Sequence, residues 1–228
     1  MLKTPVEDSP IMQLASKEEI IYPESDGEPV ADNTLQFLRI MTIQGGLDLM
    51  YKDNPDVFLA GDLFWYPVEG NNKIRVAPDT MVVFGRPKGH RGSYLQWRED
   101  NIPPQAVFEV LSPGNRATEM IRKWRFYNRY GVQEYYLYDP YDNVISGWMR
   151  TDGELQDIDP EQFVAESGWT SPLLDVTFQQ TSQTLVITRP DGEKFATYVE
   201  LGTKLEEEQA RAEKWAAQLR ALGVEPLD

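Results

Sequence analysis

Ala77-Pro78-Asp79-Thr80-Met81-Val82-Val83-Phe84, then Ala106-Val107-Phe108-Glu109-Val110-Leu111, then a helical pattern carrying Lys123, is the stretch on which the fold turns. Two apolar runs with strand character each hold a carboxylate, one at a proline corner and one in the run's interior. A carboxylate inside a buried strand is costly unless a cation compensates it. Fourteen residues after Glu109, Lys123 lies beside the apolar side of a helix formed by Met120, Trp124 and Tyr127. Its stem can lie on the sheet while the ammonium reaches the acids. The competing reading of Lys123 is a surface pair with Glu119, four residues earlier. Arg122, Arg125 and Arg129 project elsewhere as a basic stripe.

Outward from this stretch, Ser112-Pro113-Gly114-Asn115 offers helix caps, and Gly131 stops the helix after Tyr130. Residues 133–139 form the next strand, so strand, helix and strand make a unit suited to parallel pairing through a crossover. Before the stretch, Leu35, Leu38, Met41 or Ile43 and Leu47 recur at helical spacing, with Asp32 or Asn33 as cap. Short strands are expected at 57–60 and 63–66, and further β segments at 144–150 and 184–188. Helices and strands mix without strict alternation, which predicts an α/β fold with a mixed central β-sheet flanked by helices. Residues 1–29 read as a polar arm, 30–198 as the α/β domain and 199–228 as a C-terminal helix. In that helix Leu201, Leu205, Glu208, Ala212, Trp215, Leu219 and Leu222 step as a heptad-like seam. Two readings of it stay open, a helix packed on its own domain or a coiled-coil dimerisation element that makes a homodimer.

Composition narrows the chemistry. The 228 residues include no cysteine and one histidine, His90. Thiolate metal sites, cysteine nucleophiles and zinc centres built on several histidines are thereby removed. No Gly-x-Ser-x-Gly elbow, phosphate-binding loop or dinucleotide fingerprint occurs. Catalysis would have to come from carboxylates, amines and a hard cation held through oxygen. No apolar run has the roughly 20 residues of a membrane helix, and the N-terminus has no signal-peptide core, so a cytoplasmic protein is expected. The net charge of −15 is uneven: residues 86–130 hold nine Lys/Arg against four Asp/Glu, a local +5. Arg86, Lys88, Arg91, Arg122 and Arg125 are therefore candidates to hold a nucleic-acid backbone, with ordinary surface charge as the alternative. Tyr94 and Trp97 read as packing residues, with stacking on bases as the alternative.

Ala-Pro-Asp-Thr-Met-Val-Val, Val-Phe-Glu-Val-Leu-Ser-Pro, residues 123–127 and Gly-Val-Gln-Glu-Tyr-Tyr-Leu-Tyr-Asp-Pro together resemble the restriction-endonuclease-like family of the PD-(D/E)XK nuclease superfamily. The resemblance spans about residues 22–190 and is sharpest over 76–140. It implies a Mg²⁺- or Mn²⁺-dependent endonuclease acting on DNA. Asp79 and Glu109 would be metal ligands and Lys123 the catalytic cation. Superfamily members usually place the lysine two residues after the second acid, where this chain has Leu111, and in this family the following helix supplies it instead. A further acid often comes from the first helix; Asp32 is the nearest match and Glu28 a weaker one. Many relatives have a histidine there, and this chain has none. Two alternatives remain: a catalytically inactive nuclease-fold binding or oligomerisation module, and a glycosidase-like carboxylate pair.

Overall fold

The structure is a computed structural model describing residues 20–24, 27 and 31–222. Most of the arm at 1–29, Glu28 included, lies outside the described residues. A six-stranded mixed sheet organises the chain. Its strands are β1 (Val57–Ala60), β3 (Thr80–Phe84), β5 (Ala106–Val110), β6 (Glu134–Asp139), β7 (Val144–Thr151) and β8 (Glu154–Asp157), in the order β1-β3-β5-β6-β7-β8. β5 pairs in parallel with β6, and every other pairing in the sheet is antiparallel. The strand–helix–strand unit is thus present, with α2 (Ala117–Tyr130) as its connection.

The sheet is buried on both faces because each central strand is apolar on both. From β5, Ala106, Phe108 and Val110 join the core under α1 (Thr34–Met50), while Val107 joins Tyr127 of α2 on the opposite face. Glu109, two positions along from Val107, also points to the α2 side. Three strands, β9 (Trp169–Thr170), β10 (Thr177–Gln180) and β11 (Leu185–Thr188), make a small antiparallel sheet. With the short helix α3 (Pro160–Val164) it extends the α1-side core through Phe163, Leu174 and Phe178. β2 (Trp65–Tyr66) and β4 (Tyr94–Leu95) pair in parallel beside the α2 side, and Tyr94 is buried there as a packing residue. Trp97 packs on Tyr22, whose ring also meets Tyr66.

Two helical expectations are corrected. α1 buries Gln36, Ile40, Ile43, Gly46 and Leu47, leaving Leu38 and Met41 exposed. The helix is apolar around much of its circumference, so spacing does not single out the inward stripe. α2 starts at Ala117, and its N-cap Arg116 makes no side-chain capping bond. Ser112 and Asn115 instead close a turn on each other, Asn115 Oδ1 accepting from the Ser112 N–H at 2.7 Å. Gly131 ends the helix as expected, at φ 93°, with its N–H donating to Tyr127.

α4 (Tyr198–Ala221) opens with a reciprocal Thr197–Glu200 capping box and buries none of its residues. No helix among the described residues is long and apolar enough to cross a membrane.

Candidate active site

Strand register brings the two acids together. β3 pairs Thr80 with Phe108 and Met81 with Val107. One more step along this antiparallel ladder sets Asp79 across from Glu109. Alternation then gives both the α2 side, the face to which Met81 and Val107 contribute. Asp79 Oδ2 accepts the backbone N–H of Val110 at 2.7 Å, so the first acid is tied to the strand that carries the second.

α2 delivers the cation. Lys123 and Tyr127, one turn apart, share a helix face. Lys123 Nζ lies 2.8 Å from Glu109 Oε2, and the Tyr127 hydroxyl donates to Glu109 Oε1. Glu109 is only 3% exposed, so these two partners satisfy a carboxylate that water hardly reaches. Burial alone would lower the Lys123 ammonium, but Glu109 and Asp79 outweigh it and hold its pKa above the usual lysine value. Asp79 moves the other way from an ordinary acid. Burial, then the negative charge of Glu109, pushes its carboxyl up to about 8 against the pull of Lys123 and the Val110 N–H.

Asp79 and Lys123 border a cleft of about 490 Å³, whose lining also includes Asp32, Gln36, Asp62, Arg75 and Glu119, while Glu109 is not in its wall. Asp32 precedes α1 and accepts the Ser112 hydroxyl on Oδ2. Gln36 donates from Nε2 to the Val110 carbonyl at 2.8 Å, and its Oε1 accepts the Asp32 N–H at 2.8 Å. The start of α1 is thereby stitched to the end of β5. The Arg75 guanidinium sits 4.6 Å over the Phe64 ring and donates to the Asn72 carbonyl at 3.0 Å.

The donor set suits a hard divalent cation. Asp79, Glu109 and Asp32 offer oxygen alone, the donor type Mg²⁺ and Mn²⁺ take. Among the described residues no group of three or more acid, histidine or cysteine side chains is placed to hold a metal ion, the trio Asp79, Glu109 and Asp32 included. Mg²⁺ needs none, since it keeps several waters and binds through one or two carboxylates. The Val110 carbonyl already accepts from Gln36 and retains one lone pair.

Asp79, Glu109 and Lys123 are therefore brought to one place, and Asp32 lies in the wall of the same cleft. The other basic candidates stand elsewhere. Arg86 and Arg91 converge on Glu99, at 2.9 and 2.7 Å, and Lys88 Nζ caps the Tyr51 carbonyl at the end of α1, at 2.7 Å. None of the three lines the cleft. Arg122 and Arg125 are exposed on α2. Sequence reasoning missed Gln36, Asp62 and Arg75, and it took Tyr127 for packing alone. A hydroxyl four residues after the lysine was a usable signal for Tyr127, and an arginine four residues before Asp79 was one for Arg75. Gln36 gave none, because its partner is 74 residues away.

A mixed sheet with paired acids at adjoining strand ends and a helical lysine defines a restriction-endonuclease-like protein. The family described as "Putative restriction endonuclease", Uma2, matches residues 30–181, and the chain belongs to that family. A solved structure described as a "putative nuclease belonging to DUF820", from Anabaena variabilis, is similar at 15% identity. That similarity covers 63% of this chain and 75% of the other, with a TM-score of 0.47. No curated protein matches the chain.

Proposed function

We propose that the chain is a Mg²⁺- or Mn²⁺-dependent endonuclease that hydrolyses DNA phosphodiester bonds at the Asp79–Glu109–Lys123 site. The observation that carries this reading is the 2.8 Å contact of Lys123 with Glu109 on the face that Asp79 shares. Asp79 and Glu109 would hold the cation, with Asp32 as a further oxygen donor. Once bound, the cation supplies positive charge to the phosphate oxygens and acidifies a water molecule. Lys123 Nζ donates to the charge that develops on the phosphate or orients the attacking water. Tyr127 fixes the Glu109 carboxylate from below. Arg75 holds a phosphate oxygen from the opposite wall, since arginine presents a fork of donors suited to that geometry. Arg122 and Arg125 add attraction to the backbone without reading sequence.

The test is cutting of supercoiled plasmid, linear duplex and single-stranded DNA with Mg²⁺ or Mn²⁺. Wild type is expected to cut, Asp79→Ala and Glu109→Ala to be inert, and Lys123→Ala to lose roughly 10²–10³-fold, the usual cost of removing one electrostatic donor. Absence of cutting on every form, or full activity in the alanine variants, rejects the reading. One observation favours a catalytically silent module instead, for both Glu109 oxygens are already engaged by the protein. That reading requires that Mn²⁺ leave the melting temperature unchanged.

For quaternary state we propose a homodimer through antiparallel α4 helices. Trp215 on the seam is 65% exposed. Residues 198–209 carry four acids and one lysine, a balance of −3, and residues 210–221 carry three bases and one acid, a balance of +2. Antiparallel pairing sets each acidic half against a basic one. In that register Trp215 falls opposite residues 204–205, beside Leu205 of a second copy.

A further inference from the structure

α2 has two flanks. Lys123 serves the catalytic cleft on one, and Trp124 faces a second hollow of about 310 Å³ on the other. Met120 and Trp124 of α2, Tyr135 and Leu137 of β6, Trp148 of β7 and Asp157 of β8 line it. Register relates this hollow to the acids. Glu109 pairs with Leu137, Tyr135 with Trp148, and Trp148 with Asp157. All these side chains therefore rise from the face that carries Asp79 and Glu109. With strands about 4.8 Å apart, the hollow begins one strand from Glu109. A helix is about 10–12 Å across with its side chains, so a polymer passing over the first turn of α2 reaches both openings.

The lining has a definite chemistry. Tyr135 and Trp148 stack with centroids 4.9 Å apart and planes at 17°. Two wall residues bury polar atoms that have no partner among the described residues, the Trp124 indole N–H and the Tyr135 hydroxyl, and Tyr135 is only 1% exposed. Such unpaired groups are costly and uncommon. Asp157, exposed at the rim, supplies a carboxylate acceptor. A phosphate would meet an apolar wall and a negative charge, while a purely aliphatic ligand would leave the Asp157 carboxylate unmatched. A nucleobase offers a flat π-face, polar edges and, in adenine and cytosine, an exocyclic amine that a carboxylate accepts.

We propose that this hollow is a nucleobase subsite. An unpaired base of the strand whose phosphate lies in the cleft stacks on the Trp124–Trp148 wall, and its amine donates to Asp157. This rests on the nuclease reading and adds a substrate preference for strands with unpaired bases over intact duplex.

Free nucleosides test it without phosphate electrostatics and without turnover. The chain has six tryptophans, and their indole N–H signals in ¹⁵N-labelled protein are assigned with Trp124→Phe and Trp148→Phe. Adenosine and cytidine are expected to shift the Trp124 and Trp148 signals saturably while Trp65, Trp97, Trp169 and Trp215 stay put, and ribose is expected to shift none. Trp148→Ala should weaken binding roughly five- to 150-fold, the range for loss of one stacking partner. Met120→Trp, which fills the hollow, should abolish it. Asp157→Asn, at the exposed rim, should weaken adenosine and leave thymidine unchanged. Unmoved or uniformly moved indoles overturn the subsite, as do shifts that follow protein concentration alone, which would mean a second copy fills it. The two proposals separate cleanly. DNA cutting with unmoved indoles removes the subsite and keeps the nuclease, and nucleoside binding by a chain that cuts nothing does the reverse.

Discussion

Tyr127 decides how Glu109 can serve the site, because a buried carboxylate needs donors on both oxygens to stay charged and fixed. Lys123 supplies one and Tyr127 the other. Tyr127→Phe is expected to lower stability by about 1.5–3 kcal/mol, the range for a hydrogen bond to a charged group. It should also slow Mg²⁺-dependent cutting while leaving KM for DNA unchanged. Thermal melting and steady-state kinetics on the same sample check both. Gln36→Ala would strand the Val110 carbonyl and the Asp32 N–H together, and a loss of about 1–3 kcal/mol is expected in urea unfolding. At this scale the acids were legible in the sequence because Glu109 breaks an apolar run and Asp79 opens one at a proline corner. Lys123 was legible because helical spacing sets it beside the inward stripe. Gln36 was not, since a polar residue on a buried helix face declares itself only once the strand it bonds is known.

Among the elements, the segment joining β3 to β5 shows what charge counting overlooks. Its arginines look like a nucleic-acid surface in sequence, yet Arg86 and Arg91 clamp Glu99 and fold the segment on itself. The hydrogen bond from Arg91, ahead of the opposing burial, holds the Glu99 carboxyl below its ordinary value. A depressed acid contributes stability above its unfolded pKa and loses it as pH falls through the folded one. Glu99→Gln is therefore expected to lower the melting temperature at pH 7 and to converge with wild type only once pH has fallen below the depressed folded-state pKa, where both states are protonated. A destabilisation equal at pH 3 and pH 7 would contradict the ion-pair origin. α1 teaches a related point. Its inward stripe is chosen by β5 and by Phe195, packed partners that lie far along the chain, and helical periodicity does not encode that choice.

For the whole molecule, the proposed DNA substrate has to be reconciled with overall acidity at the cleft itself. Its lining sets Arg75 and Lys123 against Asp32, Asp62, Asp79 and Glu119, so the proposed cation is what offsets the acids there, while further acid accumulates in segments such as the first half of α4. That helix, about 36 Å long at 1.5 Å per residue, buries nothing within its own chain. Sedimentation equilibrium is expected to give a dimer for wild type and a monomer for Leu205→Glu/Trp215→Glu with an unchanged fold. A wild-type monomer would reject antiparallel pairing. The α/β architecture was readable from the strand–helix–strand unit, and β11 from the β segment at 184–188, but β9 and β10 of the small sheet were not, because these short strands are set by packing on the α1-side core. The most direct test of the proposed metal centre is a Mn²⁺ titration followed by paramagnetic resonance. Wild type is predicted to bind the ion, Asp79→Asn and Glu109→Gln to lose it, and Lys123→Met to bind it more tightly once Glu109 is released from the ammonium. Binding that survives both carboxamide substitutions, or that is indifferent to Lys123, would contradict the account.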